Sequence, residues 1–88
     1  MQIQIVSDQI TEQMLIPREG DAGMDLRAVI DKPISLMPGV VYSIKTGIKM
    51  ALPEGYAGFV IPRSGLGSKG LVLGNTTGLI DPAYRGEI

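Results

Sequence analysis

The stretch VVYSIKTGIKMALPEGYAGFVIP, from Val40 to Pro62, decides the fold class of this chain. Val40 to Leu52 has the length and the β-branched content of one bent strand, and a bulge is expected at Gly47. After a tight turn, Tyr56 to Ile61 predicts a second strand, which Pro62 ends because proline cannot donate to a sheet. The stretch therefore predicts strands joined by turns.

The rest of the chain repeats this pattern. Gln2 to Val6 and Met24 to Ile30 alternate apolar and polar residues, Leu71 to Leu73 is a short apolar run, and Arg85 to Ile88 begins a further strand. With 12 Gly and 6 Pro in the chain, every window of ten or more residues with helical apolar spacing is interrupted. We therefore expect an all-β protein with the frequent turns of a sandwich, barrel or jelly roll.

Composition excludes several classes of function. The chain has 88 residues, enough for one small domain, and it has no Cys and no His, which removes disulfides and an ordinary zinc site. Oligomerisation is then the remaining way to support a small core. The net charge of −1 and the scattered basic residues argue against nucleic-acid binding. No signal peptide or membrane span is visible, so we expect a soluble, cytoplasmic protein.

A basic, glycine-rich segment follows the second predicted strand, from Pro62 to Gly70. Its glycines allow backbone N–H groups to surround an anion, while Arg63, Ser64 and Lys69 add a guanidinium, a hydroxyl and an ammonium group. The spacing of a Walker phosphate loop is absent. Taken alone, the segment is as typical of a plain hairpin loop as of a phosphate-binding loop.

Two acidic residues stand at the ends of predicted elements. Asp25 begins a strand, and Asp81 precedes Pro82 in a stiff turn, with Tyr84 three residues on, where its ring could lie against a flat ligand. Each also has a purely structural interpretation: a solvated surface acid for Asp25, and a turn-capping acid with a core tyrosine for the second pair. Together with the basic loop, they provide the parts needed to bind a nucleoside triphosphate with Mg²⁺ and attack it with water.

Three segments, in this order, resemble the first three motifs of the homotrimeric dUTP pyrophosphatases: Ala22 to Ala28, Pro62 to Lys69 and Gly78 to Glu87. The resemblance implies a distorted jelly-roll subunit and a homotrimer whose active sites are shared between subunits. Residues 1–88 would form a single domain of this kind, incomplete at the C-terminus because a fourth and a fifth motif are missing.

The resemblance also implies a role for each matching residue. Asp81 would hold and activate the water that attacks the α-phosphorus, Tyr84 would pack against the deoxyribose, and Asp25 would reach Mg²⁺ through its waters. The remaining matches are implied to bind substrate. They are Asn75 near the uracil, the main chain of Gly78, Leu79 and Ile80 at the uracil edge, Arg63, Ser64 and Gly65 at the phosphates, and Lys69 as a further phosphate contact.

The implied reaction is hydrolysis of dUTP to dUMP and pyrophosphate, which limits uracil incorporation into DNA and supplies dUMP for dTMP synthesis. The 88 residues alone are expected to be inactive. Two alternatives remain open. A dCTP deaminase of the same superfamily has a similar Asp–Pro turn, and a non-catalytic nucleotide-sensing or partner-binding protein could share the fold.

Overall fold

The computed structural model describes residues 3–7 and 17–88. Its regular elements, in chain order, are β1 (Gln4–Ser7), β2 (Ile48–Ala51), β3 (Gly58–Val60), α1 (Ser64–Gly67) and β4 (Gly78–Ile80). β1 pairs with β2 in one two-stranded sheet, and β3 pairs with β4 in another. Within the described ranges the helix content is the single turn of α1, so the predicted all-β class is confirmed.

The chain divides into two compact units. The first unit contains Met1–Gln4 and Ala51–Tyr84, and the second contains Ile5–Met50 and Arg85–Ile88. The first unit therefore holds the candidate site residues from Arg63 to Tyr84, whereas Asp25 belongs to the second unit. The single domain expected over residues 1–88 stays a prediction.

In the second unit, the segment after Tyr84 lies beside β2. Lys49 and Glu87 form an antiparallel bridge, and the Ile88 N–H donates to the Ile48 carbonyl at 2.9 Å. Among the described residues, Ile48 is the apolar side chain that is fully buried. The strand predicted to begin at Arg85 is therefore present as a short pairing with β2.

Thr46 ties the start of β2 to this segment. Its hydroxyl donates to the Ile88 carbonyl at 2.6 Å and accepts the Ile48 N–H at 3.3 Å. Gly47, between Thr46 and Ile48, has a φ of 72°, a left-handed conformation that costs glycine little. This backbone kink occurs where the sequence predicts a bulge, and the hydrogen bond between Thr46 and Ile48 spans it.

Thr46→Val should destabilise the protein, because valine keeps the shape of threonine but leaves the part-buried Ile88 carbonyl and Ile48 N–H without the hydroxyl. Losing these hydrogen bonds should lower the free energy of unfolding by about 1–3 kcal/mol. Thr46→Ser, which keeps the hydroxyl, is the matched control and should lose less. Urea unfolding of the complete protein measures both variants, and an unchanged free energy of unfolding in Thr46→Val would show that the hydroxyl contributes nothing.

Two predicted strands do not form as sheet strands. Residues 24–30 and 71–73 are outside the observed strands, as is the first part of the long strand predicted from Val40. A hydrogen bond from the Val29 N–H to the Lys45 carbonyl, at 2.8 Å, links two of these segments. Alternation of apolar residues indicates which face of a strand is buried, but a ladder also needs a neighbouring backbone at the right distance.

Candidate functional site

The ladder of β3 and β4 is the frame of the site in the first unit. The strands are antiparallel, with Gly58 opposite Ile80, Phe59 opposite Leu79 and Val60 opposite Gly78. β3 is the strand neighbour of β4, so the other edge of β4 faces no strand within the described ranges. Main-chain N–H and C=O groups on such an edge can bind the edge of a flat ligand, as they bind a peptide strand.

The basic segment after β3 folds into a helical turn, where the sequence predicts a loop. Arg63 is extended (φ −68°, ψ 140°), and α1 begins at the next residue. The turn ends in a Schellman motif, with the Leu71 N–H bonded to the Leu66 carbonyl and the Gly70 N–H bonded to the Gly67 carbonyl, both at 3.0 Å. Gly70 has the positive φ, 86°, that this motif requires.

This turn separates the two basic side chains of the segment. Arg63 precedes the first helical residue, and Lys69 follows the last, with its N–H bonded to the Leu66 carbonyl at 3.0 Å. Arg63, Ser64 and Gly65 therefore form a contiguous group at the start of α1, whereas Lys69 lies at its other end. All four residues are exposed.

Asn75 lies in a tight turn directly before β4. The Thr76 N–H bonds to the Leu73 carbonyl at 3.1 Å, and the Thr77 N–H bonds to the Asn75 carbonyl at 2.7 Å. Thr76 has a φ of 67°, which is uncommon for a β-branched residue and costs of order 1 kcal/mol. The turn is strained, and it holds the exposed Asn75 three residues before Gly78. Thr76 could not be found from the sequence, because no sequence pattern marks a left-handed threonine.

Asp81 and Tyr84 form a turn directly after β4, as the sequence predicts. The Tyr84 N–H bonds to the Asp81 carbonyl at 3.1 Å across Pro82 and Ala83. Asp81 is exposed, and the Tyr84 side chain is 43% exposed, which does not fit a core tyrosine. The carboxylate and the aromatic ring therefore start from the two ends of one hydrogen-bonded turn and are accessible to a ligand.

The candidate residues form two groups at opposite ends of the β3–β4 ladder, with Arg63 and Asn75 at one end and Asp81 at the other. Val60 pairs with Gly78, so the end of β3 that leads to Arg63 and the turn that holds Asn75 are at the same end. Asp81 follows Ile80 at the other end, about 10 Å farther along β4 at the usual rise per residue. A ligand that contacts both groups must be extended, or it must take them from different copies of the chain.

The described residues contain no group of three or more acidic, Cys or His side chains able to enclose a metal ion. Asp25 is an exposed carboxylate in the second unit. One carboxylate suits an ion such as Mg²⁺, which keeps several waters and is commonly bound through substrate phosphates. The exposed Asp25 carboxylate is therefore compatible with an outer contact to such an ion. In the ranges the structure describes, no helix has the length and hydropathy of a membrane span.

The chain is an all-β protein with a basic helical turn and an Asp–Tyr turn at opposite ends of one two-stranded ladder. Comparison with known families identifies its family, since the family model described as dUTPase matches residues 11–88. The chain belongs to the dUTPase family, whose fold is a β jelly roll, as the resemblance of its three motifs implies.

Curated relatives agree with this match. The chain is 46% identical to a deoxyuridine 5′-triphosphate nucleotidohydrolase of Idiomarina loihiensis, over 100% of this chain and 62% of the relative. It is 48% identical to the protein of the same name from Baumannia cicadellinicola, over 98% of this chain and 60% of the relative. It thus spans about three fifths of the length of these relatives.

Proposed function

We propose that the complete protein hydrolyses dUTP, as its Mg²⁺ complex, to dUMP and pyrophosphate. The observation that carries the proposal is the Asp81–Tyr84 turn at the end of β4, an exposed carboxylate and an exposed aromatic ring joined by a 3.1 Å main-chain hydrogen bond. The names of the relatives, which specify nucleotidohydrolases acting on deoxyuridine triphosphate, support the same substrate.

In the proposed mechanism, Asp81 acts on water. Its carboxylate accepts a hydrogen bond from a water molecule and removes a proton as the water oxygen bonds to the α-phosphorus. The bond from the α-phosphorus to the bridging oxygen breaks, and pyrophosphate leaves with that oxygen.

The phosphate oxygens are proposed to be bound by Arg63, by the hydroxyl of Ser64 and by the N–H of Gly65. These donors stabilise the charge that develops on the phosphates, and Lys69 is a further phosphate contact. Asp25 would hold Mg²⁺ through water, and the ion would supply neutralisation of the triphosphate charge when bound.

Uracil is proposed to bind along the outer edge of β4. Among Gly78, Leu79 and Ile80, the residues whose main-chain groups point away from β3 would pair with the uracil edge, since successive residues of a strand point to alternate edges. Asn75 would contact the ring from the preceding turn. The strained Thr76 supports this role, because a strained turn next to a strand edge is typical of a ligand-binding position.

A homotrimer is proposed for the complete protein. In the first unit, Phe59 and Leu79 lie opposite each other and are 71% and 62% exposed, and Ile61 is 68% exposed. Apolar side chains grouped in this way usually mark an interaction surface. Sharing of the site between subunits would also bring Arg63 of one copy toward Asp81 of another. The cytoplasmic location stays a prediction.

The test of function is an assay of the complete protein with dUTP and with dCTP, in the presence of Mg²⁺. Release of pyrophosphate and dUMP from dUTP supports the proposal, and a solution mass of three copies supports the trimer. Release of ammonia from dCTP would instead identify a deaminase. Nucleotide binding without either product would identify a sensing protein.

Tyr84→Ala should narrow the preference for dUTP over UTP. The Tyr84 ring is proposed to exclude the 2′-hydroxyl by contact, and steric exclusion relaxes when the ring is removed. The measurement is the ratio of kcat/KM for dUTP to kcat/KM for UTP. We expect this ratio to fall by about tenfold, which corresponds to a loss of about 1.4 kcal/mol of discrimination. Tyr84→Phe keeps the ring and should keep the ratio. An unchanged ratio in Tyr84→Ala would mean that Tyr84 does not select the sugar.

A further inference from the structure

Glycine and β-branched residues alternate across the β3–β4 ladder. Val60 of β3 lies opposite Gly78 of β4, and Ile80 of β4 lies opposite Gly58 of β3. All four residues share one face, because the side chains of a strand alternate between faces. This face is partly buried, whereas Phe59 and Leu79 on the other face are exposed. Each branched side chain therefore lies over a residue that has none.

The distances show why position 78 has no side chain. A Cβ built on Gly78 would lie 3.2 Å from the Cβ of Val60 and 3.6 Å from its Cγ2. Non-bonded carbon atoms pack at about 3.5–4.0 Å, so the first contact is too short. Gly78 is not among the glycines with a positive φ. Space, and not backbone freedom, is the reason for glycine at this position.

If position 78 carried a side chain, the Cβ of Val60 would be the first atom it met. A Cβ is bonded directly to the Cα, so it cannot move away without moving the β3 backbone. A side chain at position 78 would therefore push the two strands apart by a few tenths of an ångström. Such a shift would displace the N–H and C=O groups on the outer edge of β4.

We propose that Val60 is a positioning residue for nucleobase recognition, which acts by holding the bare backbone of Gly78 at the spacing that aims the main chain of β4 at the base. The inference rests on the proposed function, because it assumes that main-chain groups of β4 bind uracil. Val60 itself does not touch the nucleotide. It sets the distance between strands, and this distance sets the position of the main-chain groups that distinguish uracil from cytosine.

The test uses the complete protein, with dUMP and dCMP as probes in calorimetric titrations. Gly78→Ala should weaken dUMP binding by about tenfold, since small displacements of positioned groups have large effects. It should weaken dCMP binding less, so the selectivity for uracil falls. Adding Val60→Gly removes the crowding Cβ and should recover at least part of both the affinity and the selectivity.

Val60→Ala provides the matched control. It removes both methyl groups but keeps the Cβ at 3.2 Å, so it should not rescue Gly78→Ala. Rescue by Val60→Ala as well as by Val60→Gly would overturn the inference. Looser packing around position 60, and not relief of the contact between the two Cβ atoms, would then explain the recovered binding. Tm and circular dichroism show whether variants with Val60→Gly fold. If they do not, the test is the preference of Gly78→Ala for dUMP over dCMP, and an unchanged preference overturns the inference. Failure of the wild-type protein to bind dUMP would overturn the proposed function instead.

Discussion

Asp81→Asn in the complete protein should lower the turnover of dUTP by about two orders of magnitude or more, as expected when a positioned general base is removed. Asparagine has nearly the same shape as aspartate, but it lacks the negative charge needed to accept a proton from water. The turn itself should persist, because the 3.1 Å hydrogen bond to Tyr84 comes from the main-chain carbonyl of Asp81 and not from its side chain.

The affinity for a non-hydrolysable dUTP analogue should change little in this variant. The measurement is therefore a pair, steady-state turnover and analogue binding, so that loss of chemistry is separated from loss of binding. Asp31→Asn is a matched control, since it makes the same change at an exposed acid outside the proposed site, and it should keep full turnover. Near-normal turnover of Asp81→Asn would show that another group activates the water.

A polypeptide of residues 1–88 alone should not turn over dUTP at ordinary enzyme rates of about 1 per second or faster. The described residues pair in two sheets of two strands each, and isolated two-stranded ladders are marginally stable in water. Ile48 is the fully buried apolar side chain among these residues, while Phe59, Val72 and Leu79 are mostly exposed. So little burial leaves little free energy to hold the turns of the site in place.

The comparison is between residues 1–88 and a chain of the full length of the relatives, of which these residues match about 62%. Circular dichroism, solution mass and pyrophosphate release from dUTP with Mg²⁺ are measured on both. We expect the short polypeptide to be aggregated or poorly folded, since unpaired strand edges and exposed apolar faces promote association. A folded trimer of residues 1–88 with normal turnover would contradict this expectation.

Local chemistry explains which parts of the structure could be read from the sequence. Pro82, directly after Asp81, predicted a stiff turn before Tyr84, and this turn is observed. Gly47 was expected to bend its strand, and it has a left-handed φ. In both cases the conformation depends on a residue whose own φ is restricted or unusually free, so neighbours in sequence are sufficient.

The basic segment was predicted less well. Its glycines indicate a loop, yet residues from Ser64 to Gly67 form a helical turn. Glycine disfavours helix by about 1 kcal/mol relative to alanine, and the Schellman motif that ends at Leu71 satisfies carbonyls that would otherwise lack partners. Propensity was therefore outweighed by the closing hydrogen bonds, which link residues up to five positions apart.

By itself, the sequence determined the all-β class, the order of the three motifs and the identity of the candidate residues, because turns, strand alternation and motif chemistry are local properties of the chain. Tertiary structure alone decided which strands pair and in what register. Register depends on two distant segments meeting at one spacing, and Gly78 could be recognised as a space-limited glycine only once Val60 was found opposite it. The separation of Arg63 and Asn75 from Asp81 along the ladder has the same origin, since it follows from how β3 and β4 pair and not from their distance in sequence.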